Sequence, residues 1–248
     1  MDSALYTAYS GLRANAETLD VLSNNLANVN STGFKSDEAF FSLFNHAISE
    51  STLVPLDQAI NDSTVVQGTT TNFLAGPLIT TGNELDVALE GRGFFVVEGR
   101  EGTYYTRNGN FHVNREGQLV NSDGFPVLGR GGRIRLAPGK VHISQTGDIQ
   151  VNDTRVDTLK LVDFSETCQL EKQGNSLFAF AGSAEEEHEA TDVVVRQGSL
   201  EQSNVNPIKQ MMLMINMNRQ FEGLQKAIQM MMNTVNDRSI NQVGRSGG

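Results

Sequence analysis

A chain of 248 residues has room for one large domain or two small ones. With 38% hydrophobic residues, no Trp and 24 Gly, its core is modest and its turns are many. The net charge of −10 argues against nucleic acid, whose binding rests on basic contacts to phosphate, and against adhesion to anionic lipid.

From the N-terminus, Leu5, Leu12, Leu19 and Leu26 recur every seven positions, with Ala8, Tyr9, Ala16, Leu22 and Val29 three or four residues after them. That spacing places two adjacent apolar rows on one helical face, as a coiled-coil seam requires. Asp2 or Ser3 can cap the start. The run dissolves at Asn28-Val29-Asn30-Ser31-Thr32-Gly33, whose residue types favour turns. A helix of about 25 residues with so narrow a stripe needs a partner, because isolated helices are marginal in water.

Residues 36–75 read as a connector or arm. With Phe34 just before them, Phe40, Phe41, Leu43, Phe44 and Ile48 form an aromatic-rich cluster that suits either a short helix or an extended arm, and 49–75 a polar connector or hairpin. From 76 to 197 the period changes to two. Leu85–Leu89, Phe94–Val97, Thr103–Thr106, Phe111–Val113, Leu119–Val120, Pro126–Leu128, Arg133–Leu136, Val141–Ile143, Gly147–Val151, Thr158–Val162, Leu177–Phe180 and Val193–Val195 are short strand candidates punctuated by glycines. Strands at this spacing with no helix between them predict an antiparallel sandwich or barrel and exclude a doubly wound α/β enzyme.

Residues 198–248 return to helix. Asn206-Pro207 is a start signal, with Asn as cap and Pro at the first helical position. Met214, Phe221, Ile228 and Val235 recur every seven, and Met217, Leu224 and Met231 follow at three. The predicted fold is therefore mixed: long terminal helices of coiled-coil type (1–35 and 198–248) flank an inserted, mainly antiparallel β domain. The two matching seams predict an assembly interface at Leu5, Leu12, Leu19, Leu22, Leu26, Met214, Met217, Phe221, Leu224, Ile228, Met231 and Val235.

No grouping recommends catalysis, a cofactor or a metal. His46, His112, His142 and His188 are scattered, with no pair at ligand spacing. Cys168, the single cysteine, excludes an intrachain disulfide; it lacks an activating partner, and Glu166 and Glu171 would raise its pKa. Glu185-Glu186-Glu187-His188-Glu189 reads as a solvated loop tip between strands, and Gly91-Arg92-Gly93 as a hairpin turn, since a dinucleotide fingerprint needs its strand before the glycines. The methionines at 211, 212, 214 and 230–232 suit a helix seam better than a membrane face, because the helix lacks a basic side. The N-terminus lacks the basic start and uninterrupted apolar core of a cleavable signal, and no run of about 18 apolar residues could span a membrane.

Leu22-Ser23-Asn24-Asn25-Leu26-Ala27-Asn28-Val29-Asn30-Ser31-Thr32-Gly33-Phe34-Lys35 resembles the signature of bacterial flagellar rod and hook proteins. Gly76-Pro77-Leu78, Leu85–Ala88, Gly91–Phe95, Tyr105–Phe111 and Gly117–Val120 resemble their shared core domain, and Gly198–Pro207 their lead-in to the C-terminal helix. The motif residues are Asn24, Asn25, Leu26, Ala27, Asn28, Gly33, Phe34, Asn204, Asn206 and Pro207. Within the family, Met1-Asp2, the compact length and Arg219-Gln220-Phe221-Glu222 look most like proximal-rod members, with distal-rod members the alternative; the hook protein's extra domain has no room here. The resemblance implies a structural subunit of the periplasm-spanning basal-body rod, partnered by copies of itself and other rod proteins, with no nucleic acid and no membrane insertion. It implies export without a cleaved signal through the flagellar type III apparatus, for which Phe40–Phe44 resembles a docking element, although a buried aromatic patch is the favoured role for that run. A reading from another class, a monomeric β-domain binding module on a helical stalk, is separated from it by self-assembly.

Overall fold

The computed structural model describes residues 2–43, 64–100, 102–165, 169–182 and 187–243, with side-chain surroundings defined for 8–40, 68–100, 102–165, 169–182 and 187–233. Two helices frame the chain: α1, Asp2–Ala27, and α2, Pro207–Val243. Contacts divide it into two compact units. The first is Met1–Leu26, Asp37–Thr70 and Asn206–Gly248, and the second is Ala27–Ser36 and Thr71–Val205.

In the first unit, α2 begins where its sequence says it should. Asn206 is the cap: its Oδ1 accepts from Lys209 N at 3.1 Å, and Pro207 occupies the position whose missing N–H costs nothing. Along α2, Gln210, Met214, Met217, Phe221, Leu224, Ile228 and Met231 are half-buried, four and three residues apart. On α1, Ala14, Leu22 and Asn25 are buried, and Leu12, Leu19 and Leu26 half-buried. A Cβ built on Gly11 would sit 3.7 Å from Leu224 Cδ1, so the two helices touch there. Strands Asp37–Leu43 and Thr64–Thr71 pair as a two-stranded sheet.

The coiled-coil expectation is corrected. A coiled coil buries both rows of its seam, knob into hole, along its length. Here a 26-residue helix and a 37-residue helix flank the β unit, no described α2 side chain reaches full burial, and Tyr9 of the expected α1 seam is exposed. No long coiled-coil pair forms among the described residues. The heptad reports which side of α2 is apolar, not what covers it. Leu5 and Val235 lie outside the described side chains, as do Phe41, Leu43, Phe44 and Ile48, while Phe40 is exposed.

In the second unit every ladder is antiparallel. Its largest sheet has six strands in the order Leu170–Gly174, Leu177–Phe180, Thr103–Thr106, Phe94–Glu98, Leu161–Phe164, Glu187–Glu189. Strand Phe94–Glu98 is apolar without alternation because it is buried on both faces. Phe95 and Val97 enter a core with Val87, Leu89, Phe111 and Ile149, while Phe94 and Val96 enter a second with Tyr105, Phe164 and Phe178. Burying each such side chain is worth about 2 kcal/mol. Edge-on rings reinforce both cores, with Phe95–Phe111 centroids 5.0 Å apart and Tyr105–Phe164 4.8 Å.

Two turn assignments change. Gly91-Arg92-Gly93 is a corner, not a hairpin: strand Val87–Gly91 pairs with Val193–Gln197, in a different sheet from Phe94–Glu98. Gly91 has φ +109°, and a Cβ there would meet Asp192 O at 2.3 Å. Of the acidic run, Glu187–Glu189 is an edge strand on Leu161–Phe164, and Glu187 accepts from Tyr105 Oη at 2.8 Å and pairs with Lys160 Nζ at 2.7 Å. Glu185 and Glu186 lie outside the described residues, as do His46 and Cys168.

Candidate functional site

The chain segments on either side of the insertion meet inside the β unit. After α1 the backbone turns at Asn28, whose carbonyl accepts from Ser31 N at 3.1 Å. It then reaches Gly33 at φ +66°, a conformation open to glycine at no steric cost. A side chain there would also collide with the Arg107–Asn108 backbone, since its Cβ would lie 2.4 Å from Asn108 N. Thr32 Oγ1 donates to Asn108 Oδ1 at 2.8 Å, and Ser176, itself at φ +58°, donates its hydroxyl to Thr32 O at 3.2 Å.

This loop is then stitched to the strand that leads toward α2. Gly33 N donates to Glu201 O at 2.8 Å. Asn204 acts as a three-way clasp: its Oδ1 accepts from Ser36 N at 2.8 Å, and its Nδ2 donates to Asn72 O at 2.8 Å and Leu74 O at 3.1 Å. Phe34 is buried beneath Lys172, whose Nζ stands 4.3 Å from the ring centroid and donates to Lys35 O.

At the centre of the clasp lies a charged triad. Lys35 is 0% exposed, Glu201 1% and Arg107 4%. Lys35 Nζ donates to Glu201 Oε1 at 2.6 Å and to Leu74 O at 2.8 Å, and Gly76 N donates to the same Oε1 at 2.9 Å. Arg107 donates to Leu89 O at 3.3 Å and Gly91 O at 2.6 Å, stands 3.5 Å from Glu201 Oε2, and lies 5.5 Å from the centroid of the Phe94 ring. Arg107 Nε and Glu201 Oε2 are buried without a hydrogen bond. Burial pulls the Lys35 ammonium below its ordinary pKa, because desolvation outweighs the attraction of Glu201, and the nearby Arg107 lowers it further. Burial lowers Arg107 in the same way, against Glu201 and then Asp163.

The predicted motif residues thus serve two different jobs. Gly33, Phe34 and Asn204 build the clasp in the β unit. Asn25, buried, exchanges two bonds with the Asp37 backbone in the helical unit, at 2.7 and 2.9 Å, while Asn206 and Pro207 start α2. Asn28 closes the turn after α1. Asn24 and Ala27 are exposed, and Leu26 is half-buried. Sequence reasoning passed over Lys35, Arg107 and Glu201 as chemistry, although all three lie inside the runs that carry the resemblance.

The triad holds three opposed charges but no nucleophile beside a base. Among the described residues there is no cluster of three metal-ligating side chains and no helix long and apolar enough to cross a membrane. What the arrangement does chemically is hold the two chain ends of the β unit together.

Three family descriptions match in chain order. Residues 5–35 match the flagella basal body rod protein, 88–155 the D1 domain of the flagellar hook protein FlgE/F/G, and 196–238 the C-terminal part of flagellar basal body rod FlgEFG proteins. The flagellar basal-body rod protein FlgF of Caulobacter vibrioides is 34% identical over 100% of this chain and 99% of its own. FlgF of Mesorhizobium japonicum is 32% identical over 90% of each, and the basal-body rod protein FlgG of Borreliella burgdorferi 34% over 92% of this chain and 94% of its own. With the motif clasp in place and relatives that match from end to end, the chain belongs to the flagellar basal-body rod protein family.

Proposed function

We propose that this chain is a structural subunit of the flagellar basal-body rod, of the FlgF kind. It stacks with copies of itself and other rod proteins to carry torque, and it performs no catalysis. The observation that carries the reading is the end-to-end match to a rod protein, over 100% of this chain and 99% of the relative, with both motif segments present and joined. Heterologous contacts that do not close on themselves build helical filaments, the geometry a shaft needs. The terminal helices supply the apolar surface for such contacts, through Leu12, Leu19, Leu22, Leu26, Met214, Met217, Phe221, Leu224, Ile228 and Met231.

A place in the proximal rod is supported by length. The FlgF relative aligns over 251 positions, whereas FlgG needs 254 positions to cover 92% of this chain, so FlgG carries additional residues. Export through the flagellar type III apparatus, without a cleavable signal, follows from the same family reading. The test is complementation of a strain lacking this subunit. Leu224→Asp, which buries a charge on a half-covered face, should abolish motility and incorporation into purified basal bodies while the β unit stays resistant to proteolysis. Swimming restored to the unsubstituted level by that variant would overturn the proposal.

A further inference from the structure

Beside the clasp the β unit opens a cleft of about 830 Å³, walled by Phe73, Leu74 and Phe94 and by the side chains of Arg92, Arg107 and Asp163. Sites for small ligands commonly measure about 300–1,000 Å³ and combine apolar walls with a few convergent polar groups, and this cleft has both properties. Phe94 is buried and Phe73 meets it edge-on, with centroids 5.7 Å apart. The charges around the cleft do not balance. Lys35 and Arg107 are both buried, and Glu201 serves both, at 2.6 and 3.5 Å. Asp163 stands 3.3 Å from Arg92 Nε and attracts Arg107 from further off. Three cations thus share two carboxylates, which leaves one positive charge in surplus on a chain of net charge −10. The surplus falls on Arg107. Two of its nitrogens are committed to Leu89 O and Gly91 O, and its Nε has no hydrogen bond. A buried charge without full compensation is costly, and low-dielectric walls concentrate its field on an incoming counter-ion.

We propose that this cleft is a binding site for an organic monocarboxylate with an apolar body. The site lies outside the rod reading and does not depend on it. Arg92 contacts the carboxylate directly. Its side chain is 68% exposed, yet Nη2 donates to Phe164 O at 3.1 Å, which holds the guanidinium at the cleft with further N–H groups for an anion. Arg107 acts through its charge from beneath, and the hydrocarbon body covers the Phe73 and Phe94 rings. Phosphate and sulfate fit less well, because Asp163 lines the same cleft and repels a second negative charge, and the apolar walls give them nothing. A neutral apolar molecule leaves the surplus charge unanswered.

The probe is N-acetyl-L-leucine, with N-acetyl-L-leucinamide as its uncharged match, added to the full-length chain at constant ionic strength because salt screens such pairs. Saturation-transfer NMR should detect the acid and show the amide binding at least tenfold more weakly. Arg92→Gln should weaken the acid at least fivefold, whereas Arg133→Gln, which removes an exposed arginine outside the cleft, should leave it unchanged. Asp163→Asn removes the competing carboxylate and keeps the acceptor for Phe164 N, so it should tighten the acid at least threefold, a gain that unfolding does not mimic. Equal binding of acid and amide overturns the inference. So does acid binding that survives Arg92→Gln, falls equally in Arg133→Gln or fails to tighten in Asp163→Asn, and so does an absence of transfer at about 10 mM acid, where even a millimolar site fills. Acetyl-Leu-Glu-Leu-amide, whose carboxylate lies mid-chain, separates the sources. Tighter binding than the acid names an acidic peptide segment and weaker binding names a free acid, and either upholds the carboxylate site. None of these outcomes touches the rod reading, which complementation tests.

Discussion

Lys35 is the residue at which the β unit takes its largest electrostatic risk. An ammonium with no solvent exposure survives because Glu201 and the Leu74 carbonyl hold it, and Glu201 in turn needs a cation against its own desolvation. Lys35→Met should therefore cost about 3 kcal/mol, because it leaves a buried carboxylate with only the Gly76 N–H at 2.9 Å and Arg107 at 3.5 Å. The double variant Lys35→Met/Glu201→Gln should recover about 1 kcal/mol or more of that loss. Urea unfolding of the two variants checks both numbers, and a double variant no more stable than the single would show that the pair is not coupled. The sequence displayed both residues inside recognisable runs, yet they stand 166 positions apart, and no local pattern pairs a lysine with a glutamate at that distance. Gly33 was more legible: a glycine closing an Asn/Ser/Thr run after a helix predicts the left-handed turn that φ +66° records.

At the level of elements, the strongest signals were those with a local physical cause. Asn206 before Pro207 places the start of α2, and Asn206→Ala should cost about 1 kcal/mol of helix stability by leaving Lys209 N without its acceptor. The readout is a smaller helical dichroism signal and earlier thermal loss in the full chain, whereas an unchanged melt would remove the cap from the account. Strands with two buried faces, such as Phe94–Glu98, were equally plain as apolar runs. Leu78–Thr80 and Ser199–Glu201 were not, because each is three residues long and no residue of the first is buried, so neither alternates clearly enough to announce itself. They exist as strands by pairing with each other across more than a hundred residues. The coiled coil failed for a related reason. A seven-residue period is a statement about one helix, and the covering of its stripe is settled by elements that the period does not see.

For the whole molecule, stability in acid should be set by the β unit's held carboxylates. Asp148 accepts from Thr158 Oγ1 at 2.7 Å and Thr146 Oγ1 at 2.9 Å and pairs with Arg155, and these bonds, Thr158 first, hold its pKa below the ordinary aspartate value. A carboxylate with a depressed folded pKa adds stability above its unfolded pKa and loses it as the pH falls through the folded one, where the unfolded chain binds the extra proton. Asp148→Asn should therefore flatten the acid limb of the stability–pH curve while leaving its slope near neutrality unchanged, as measured by thermal melts from pH 7 downward. An acid limb of unchanged steepness would remove Asp148 from that role.

The clasp also governs how the chain tolerates change. Ser36 and Asn204 are held side by side, so everything between Thr71 and Val205 enters and leaves the β unit through one narrow doorway. A unit whose entering and leaving segments are fastened to each other in this way should accept longer or shorter loops elsewhere without parting them.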